Sequence, residues 1–350
     1  MMRKKKETLY NKKDRDILKS ELMAEPFERK TVSFYKYFFC EDPHTFRDSL
    51  YRSWEKIKVF GRIYVAHEGI NAQLSVPEPH WPDFLITLNH YPELIDIPLK
   101  RALQEGESFY KLTIKVRKEL VAYGVPKNTY SMNRVGNHLS AKDYNDALDN
   151  PDTIVVDMRN YYESEIGRFN RAVVPNVQIS KELLPEVKRI LKGHENDKVL
   201  LYCTGGIRCE KASAYLIQQG FRDVNQLKGG IIQYTHDVAE KKLESKFIGK
   251  NFVFDNRLGE RVTDDVIAEC HICGTPCDDH TDCQNNACHI LFIQCKSCCK
   301  ILDGCCSKEC QRFSLLPEEE QKKLRKDPEK VISRTFFNKR IKPKIIKENE

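Results

Sequence analysis

Eleven of the fourteen cysteines fall between Cys270 and Cys310, and no other feature restricts the fold of this chain as much. That stretch has too little aliphatic periodicity to build a conventional core, so something other than apolar burial must hold it. In a small secreted protein such density means disulfides. This chain has 350 residues and opens Met1-Met2-Arg3-Lys4-Lys5-Lys6, without the apolar stretch of a signal peptide. Metal binding is the better reading, followed by redox chemistry.

The spacings support metal. Cys270-His-Ile-Cys273 and Cys295-Lys-Ser-Cys298 are C-x2-C knuckles with 21 residues between Cys273 and Cys295, close to the ~15–20 of a zinc ribbon. Cys277, Cys283, Cys288, Cys305, Cys306 and Cys310 supply further thiolates, and His271, His280 and His289 further nitrogens. Two four-ligand sites fit this inventory and a third is conceivable; the partition among cysteines is open, more so with Cys299 beside Cys298. Structural zinc is the expectation, with an iron–sulfur cluster or disulfides as alternatives. Tetrahedral thiolate coordination stabilises a core-poor segment directly. A fully coordinated zinc has no open position and no redox chemistry, so it does not activate oxygen.

Charge is unevenly spread. The net charge is +7, but residues 321–347 contribute +9 and residues 1–16 contribute +4, leaving the body between them at −6. Basic ends of this kind bind nucleic-acid phosphates or are simply solvated. No apolar run approaches the ~18 residues of a membrane span, so no membrane partner is expected and the expected compartment is the cytoplasm.

The chain reads as five stretches. Residues 1–27 form a basic, loosely helical tail. Residues 28–125 read strand (31–39), helix (43–57), strand (59–66), strand (69–76), helix (80–92), strand (108–118). That order is the split βαβ of a ferredoxin-like βαββαβ domain. After a polar joint, residues 134–245 alternate strand and helix, which argues for a parallel α/β sheet covered on both faces. Residues 246–312 are the cysteine-rich metal-binding module, and 313–350 a basic tail. The fold class is therefore multidomain, α+β followed by α/β.

Ligands in parallel sheets sit beyond the strands' carboxyl ends, where Asp157 and Cys203 fall. Tyr202-Cys203-Thr204-Gly205-Gly206-Ile207-Arg208-Cys209 follows a buried strand and opens a helix. Amides of a tight glycine loop form an anion cradle, and a helix N-terminus adds positive charge. Both favour thiolate over thiol, and Arg208 adds a full charge. Cys203 is thus the candidate nucleophile or persulfide carrier, held by Thr204, Gly205, Gly206, Ile207 and Arg208. The bland alternative is a small buried residue at a strand end.

These residues resemble the rhodanese superfamily, together with Val156-Asp157-Met158-Arg159, Glu163, Ile166-Gly167, Ala172, Pro175 and Leu227-Lys-Gly229-Gly230. The resemblance implies that Cys203 carries persulfide sulfur and that Asp157, Arg159 and Glu163 frame its pocket. Arg168 departs from the histidine many relatives carry there. Cys209 lies one residue beyond the loop, where it either resolves an oxidised Cys203 or packs as a helix residue.

Four further blocks narrow the resemblance: Ser33-Phe-Tyr-Lys-Tyr-Phe38, Ala66-His-Glu-Gly-Ile-Asn-Ala-Gln73, Cys203–Cys209 with Glu210-Lys211-Ala212, and Gly249-Lys-Asn-Phe-Val-Phe-Asp255. With the cysteine-rich segment they look like the bacterial rhodanese-domain tRNA uridine hydroxylases. That resemblance implies a tRNA substrate, molecular oxygen as cosubstrate and 5-hydroxyuridine at the wobble position. No flavin or nicotinamide fingerprint is visible, so neither cofactor is expected.

His67-Glu68 does not continue as H-E-x-x-H, since Asn71 stands where the second histidine belongs, and the segment reads as strand-turn-strand; a zinc protease is rejected. His67, Glu68, Asn71 and Gln73, with Lys250, are candidate substrate contacts, because amide side chains read base edges. A structural role in the turn is the competing reading, as core packing is for Phe34, Tyr35 and Tyr37. Two other functions compete with hydroxylation. One is a sulfurtransferase carrying sulfane sulfur on Cys203. The other is a noncatalytic zinc-stabilised scaffold that binds RNA or protein, in which Cys203 is incidental.

Overall fold

The computed structural model describes residues 9–325. Of the basic ends expected at 1–27 and 313–350, residues 1–8 and 326–350 lie outside these residues; helix α1 (Arg15–Met23) lies within the N-terminal one and a helix over Glu318–Arg325 within the C-terminal one.

The first unit contains β1 (Arg29–Tyr37), α2 (Pro43–Lys56), β2 (Phe60–Ala66), β3 (Gly69–Pro77), α3 (Trp81–Asn89), β4 (Lys100–Arg101) and β5 (Leu112–Val116). Asp42 caps α2, accepting from the N–H groups of His44 and Thr45, and Pro43 takes the first helical position. Alternation along the strands sends Val32, Phe34, Ile63, Val65, Ala72 and Leu74 to one face, where they pack with Leu50 and Trp54 of α2 and Phe84 of α3. Each of the larger aliphatic and phenylalanine side chains contributes about 1.5–3 kcal/mol, which fixes the register of the whole sheet.

The strand order is β4-β1-β3-β2-β5. Its first four members are the expected ferredoxin-like arrangement, but the closing strand differs from the sequence reading. The strand expected at 108–118 exists as β5 and pairs parallel with β2 on the far edge. The closing strand beside β1 is the two-residue β4, too short to leave any alternation in the sequence.

The second unit contains β6 (Asn137–Leu139), α4 (Ala141–Asp149), β7 (Ile154–Asp157), α5 (Tyr161–Ser164), β8 (Gly167–Phe169), α6 (Ser180–Ile190), β9 (Lys198–Tyr202), α7 (Ile207–Gln218), β10 (Asp223–Leu227) and α8 (Gly230–Lys241). Four strands form a parallel sheet of order β6-β10-β9-β7. Val156, Val199 and Leu201 face one core with Leu183, Val187 and Leu216. Val155, Leu200 and Tyr202 face the other, with Tyr144, Ile231 and Tyr234. Burial on both faces explains the unbroken apolar runs of β7 and β9.

The third unit starts with β11 (Phe247–Asn251), β12 (Glu260–Arg261), β13 (His280–Asp282) and β14 (Leu291–Ile293), and ends with α9 (Lys296–Ile301), α10 (Lys308–Ser314) and α11 (Glu318–Arg325). Strand β11, assigned from sequence to the cysteine-rich module, pairs with β8, and Phe247 joins the core of Tyr202 and Tyr234.

Candidate active site

Cys203 follows the last residue of β9 and is fully buried. Helix α7 has no side-chain cap at its N-terminus, where Gly206 sits with φ +101°. The sulfur occupies that place: the Gly206 N–H donates to Cys203 Sγ at 3.1 Å. Burial opposes ionisation, but the Cys209 thiol, the Arg208 guanidinium and the amides of Arg208 and Gly206 together bring Cys203 down to about 5. Burial and the adjacent Cys203 push the Cys209 thiol well up, so at neutral pH it is the donor of this pair.

Arg208 is fixed by Glu163, with Nη1–Oε1 at 2.7 Å and Nη2–Oε2 at 2.9 Å, and also donates to Thr204 Oγ1 at 3.3 Å. Asp157 and Arg159, expected to frame the pocket, instead satisfy one another beneath it. Asp157 accepts from Arg159 Nε and Nη2 at 2.9 and 2.6 Å, from Ser164 at 2.7 Å and from Tyr202 at 2.7 Å. Both are fully buried and brace the ends of β7 and β9.

The first unit's sheet covers the loop. Its outward face carries Ser33, Tyr35 and Tyr37, paired in register with Gln73, Asn71 and Gly69. The Tyr35 hydroxyl donates to Glu210 at 3.2 Å and the Tyr37 hydroxyl to the Ile207 carbonyl at 3.2 Å. Tyr123 donates to the Arg208 carbonyl at 3.1 Å. Three phenols thus hold the first turn of α7 from outside, whereas Phe34 is core. Gly205 is the open side of the loop, where a Cβ would meet nothing within 4 Å.

The structure gathers the candidate substrate contacts only in part. Asn71 and Gln73 share the outward face with Tyr35. His67 is exposed and bonds the Cys40 carbonyl at 2.9 Å. Glu68 accepts from the Leu120 N–H at 2.7 Å and from buried Lys211 at 3.3 Å, which also meets Glu119 at 2.7 Å; it locks the units together. Lys250 is bound to Asp278 and Asp279 at 2.8 and 2.7 Å and ties β11 to the cysteine-rich segment. Sequence reasoning missed Lys100, whose ammonium lies 4.4 Å from the Tyr35 ring centroid.

The cysteines form two tetrads, Cys270/Cys273/Cys295/Cys298 and Cys283/Cys288/Cys306/Cys310, each with sulfurs within 4.8 Å of one another. The first and third sequence pairs build one tetrad, the second and fourth the other, so the two are cross-braced. Sulfur separations of 3.7 Å for Cys273–Cys295, 3.8 Å for Cys288–Cys306 and 3.6 Å for Cys306–Cys310 match the ~3.8 Å edge of a tetrahedron with ~2.3 Å metal–sulfur bonds. The Cys295 and Cys306 amides donate to Cys270 and Cys283 sulfurs at 3.3 and 3.4 Å, as suits thiolate ligands. Cys277 and Cys305 fall outside both tetrads; Cys305 contacts Ser314 Oγ instead. Among the described residues no helix is long and apolar enough to cross a membrane.

Residues 29–120 match the family model of the UPF0176 acylphosphatase like domain, 140–237 that of the rhodanese-like domain and 248–311 that of the rhodanase C-terminal segment. The tRNA uridine(34) hydroxylase of Leptospira interrogans is 48% identical over 343 residues, 97% of this chain and 93% of that protein. Proteins of the same name from Escherichia fergusonii and Yersinia pestis are each 48% identical over 333 residues, 95% of this chain and 95% and 93% of theirs.

Proposed function

The chain belongs to the tRNA uridine(34) hydroxylases, and from that premise we propose that it hydroxylates C5 of the wobble uridine of tRNA, with Cys203 as nucleophile and molecular oxygen as cosubstrate. Uracil C5–C6 is a conjugated alkene. Addition of the Cys203 thiolate to C6 moves the π pair onto C5 and O4, and the enriched C5 takes the oxygen atom. Loss of the C5 proton and of the sulfur then restores the double bond. With dioxygen as the source, the second oxygen atom leaves as water at the expense of a two-electron reductant.

The observation that carries this reading is the Cys203 sulfur accepting from the Gly206 N–H at 3.1 Å, beside Arg208 and beneath a sheet face of tyrosine and amide side chains, a setting that holds the thiol down at about 5. Because Cys203 is fully buried, a flipped base enters only when that face and the loop part above Gly205. Asn71 and Gln73 are suited to read the uracil edge. Exposed Lys115 and Arg117, at the β5 edge, are suited to the tRNA backbone, and the cytoplasm is the compartment that supplies tRNA. The two cysteine tetrads fit structural zinc, which when bound supplies folding stability and leaves no open coordination position.

The test is mass spectrometry of nucleosides from tRNA incubated with the protein, with and without oxygen, comparing wild type and Cys203→Ser. Oxygen-dependent 5-hydroxyuridine from the wild type alone supports the reading, and its absence from every sample refutes it. A second reading, sulfane-sulfur transfer, is favoured by the Gly206 amide 3.1 Å from Cys203 Sγ, since the same cradle suits a persulfide. Cyanolysable sulfur with robust turnover of thiosulfate, and no modified uridine, would select it.

A further inference from the structure

Lys100 has no role in the chemistry above, yet its surroundings are unusual for a lysine. It sits on β4, the two-residue closing strand, paired in register with Ser33 and so on the outward face with Tyr35. Its ammonium lies 4.4 Å from the Tyr35 ring centroid. Its Cε lies 3.5 Å from where a Cβ on Gly229 would stand. The next residue, Gly230, abuts the Cys203 and Thr204 carbonyls. Among the described residues no carboxylate is within ion-pair distance of Lys100, unlike buried Lys211 with Glu68 and Glu119. A half-buried cation with no carboxylate partner beside an anion-holding loop is costly to maintain unless an anion arrives to meet it.

We propose that Lys100 is a catalytic residue of the hydroxylation site, whose ammonium receives the negative charge that develops on uracil O4 when Cys203 adds to C6. This rests on the function proposed above. In that step the S–C6 bond forms, the C5–C6 π bond breaks, and its electron pair passes through C4 to O4. No electron leaves the base and no proton need move. The pair returns to C5 when C5 bonds oxygen, and the ammonium is released unchanged. A charge placed where the transition state becomes anionic acts as an oxyanion hole does.

The titration behaviour agrees with this placement. Burial pushes Lys100 down to about 8, against the attraction of Cys203 and Glu210. The other group facing it, Tyr35, is driven upward by burial and by Glu210, so it stays protonated throughout the working range. Lys100 is therefore charged at neutral pH and loses its charge just above it.

The test measures hydroxylation of full-length tRNA by wild type, Lys100→Met and Lys100→Arg across pH, beside iodoacetamide alkylation of Cys203. Lys100→Met should lower turnover about 10²–10³-fold, the usual effect of deleting one oxyanion donor. Cys203 alkylation should persist. Wild-type turnover should fall above pH 8, whereas Lys100→Arg should restore part of the rate and carry that limb upward by about one pH unit or more, since guanidinium stays charged. Wild-type turnover in Lys100→Met, or an unmoved basic limb in Lys100→Arg, would overturn the proposal; the second readout holds even if the methionine variant folds poorly. Loss of alkylation in parallel with turnover would also overturn it, by making Lys100 a positioning residue. A wild type that never forms 5-hydroxyuridine removes the parent reading itself, an outcome distinct from all of these.

Discussion

Arg208 and Glu163 meet in a buried bidentate pair, and each also serves the loop architecture: Arg208 bonds Thr204 Oγ1, while Glu163 accepts from the Asn160 N–H at 3.0 Å to cap α5. Removing one partner of a buried pair leaves the other charge unmet, at about 3–5 kcal/mol. Glu163→Ala should therefore lower unfolding free energy by about that amount in urea titrations. Glu163→Gln should lose less, because its amide oxygen still accepts from Asn160.

Cys203 should alkylate as a thiolate with a midpoint near pH 5, against 9.0 for an ordinary thiol. Its rate should fall only below that pH. Cys209→Ala removes a donor to the sulfur and should move the midpoint upward; Cys209→Ser keeps a hydroxyl donor and should move it less. Linkage gives a second signature. The folded sulfur ionises below the unfolded thiol, so its stabilising contribution is complete above pH 9, the ordinary thiol value, and is lost as pH falls to about 5. Cys203→Ser should flatten the rise in stability across that window, as read from urea midpoints at several pH values.

The Cys203 loop was legible in sequence because its chemistry is local: a strand, a glycine turn and a helix start determine where the sulfur sits. Tyr35 and Tyr37 were visible only as strand aromatics, since nothing in their own segment reveals that α7 lies opposite. Lys100 escaped altogether, because two residues leave no period-two signature and the stronger alternation at Leu112–Val116 drew the assignment of the closing strand. Asp157 was recognisable as a charge at a strand end, and Arg159 beside it through the resemblance, but that the two satisfy one another depends on packing with Ser164 and Tyr202, contributed by other elements. The cysteine partition was hidden for a related reason: cross-bracing joins pairs that are not consecutive, and the β13–β14 hairpin decides which meet.

That partition gives a stoichiometric prediction. The purified chain should hold two zinc ions by elemental analysis, one per tetrad. Cys270→Ser and Cys306→Ser should each lose one equivalent, whereas Cys277→Ser and Cys305→Ser should keep both. Chelation should unfold the cysteine-rich segment, seen as protease cleavage between residues 264 and 314, as expected of a segment held by thiolate-bound metal.

Gly230 and Gly205 offer a paired test of the cradle. Gly230 has φ +70°, and a Cβ there would stand 2.6 Å from the Cys203 carbonyl oxygen, 2.7 Å from that of Thr204 and 2.8 Å from the Gly205 nitrogen. These are backbone atoms and cannot swing aside, so Gly230→Ala must displace the loop that holds the sulfur. Displacements of about 1 Å cost roughly 10²-fold in rate, and the variant should lose at least that in hydroxylation together with a lower melting temperature. A Cβ at Gly205 meets nothing within 4 Å, so Gly205→Ala should melt as the wild type does. If a base enters above Gly205 as proposed, its methyl group stands in that route, and its defect should be in KM for tRNA. If both variants lost turnover and stability alike, entry above Gly205 would be wrong and the loop would be governed by glycine flexibility alone.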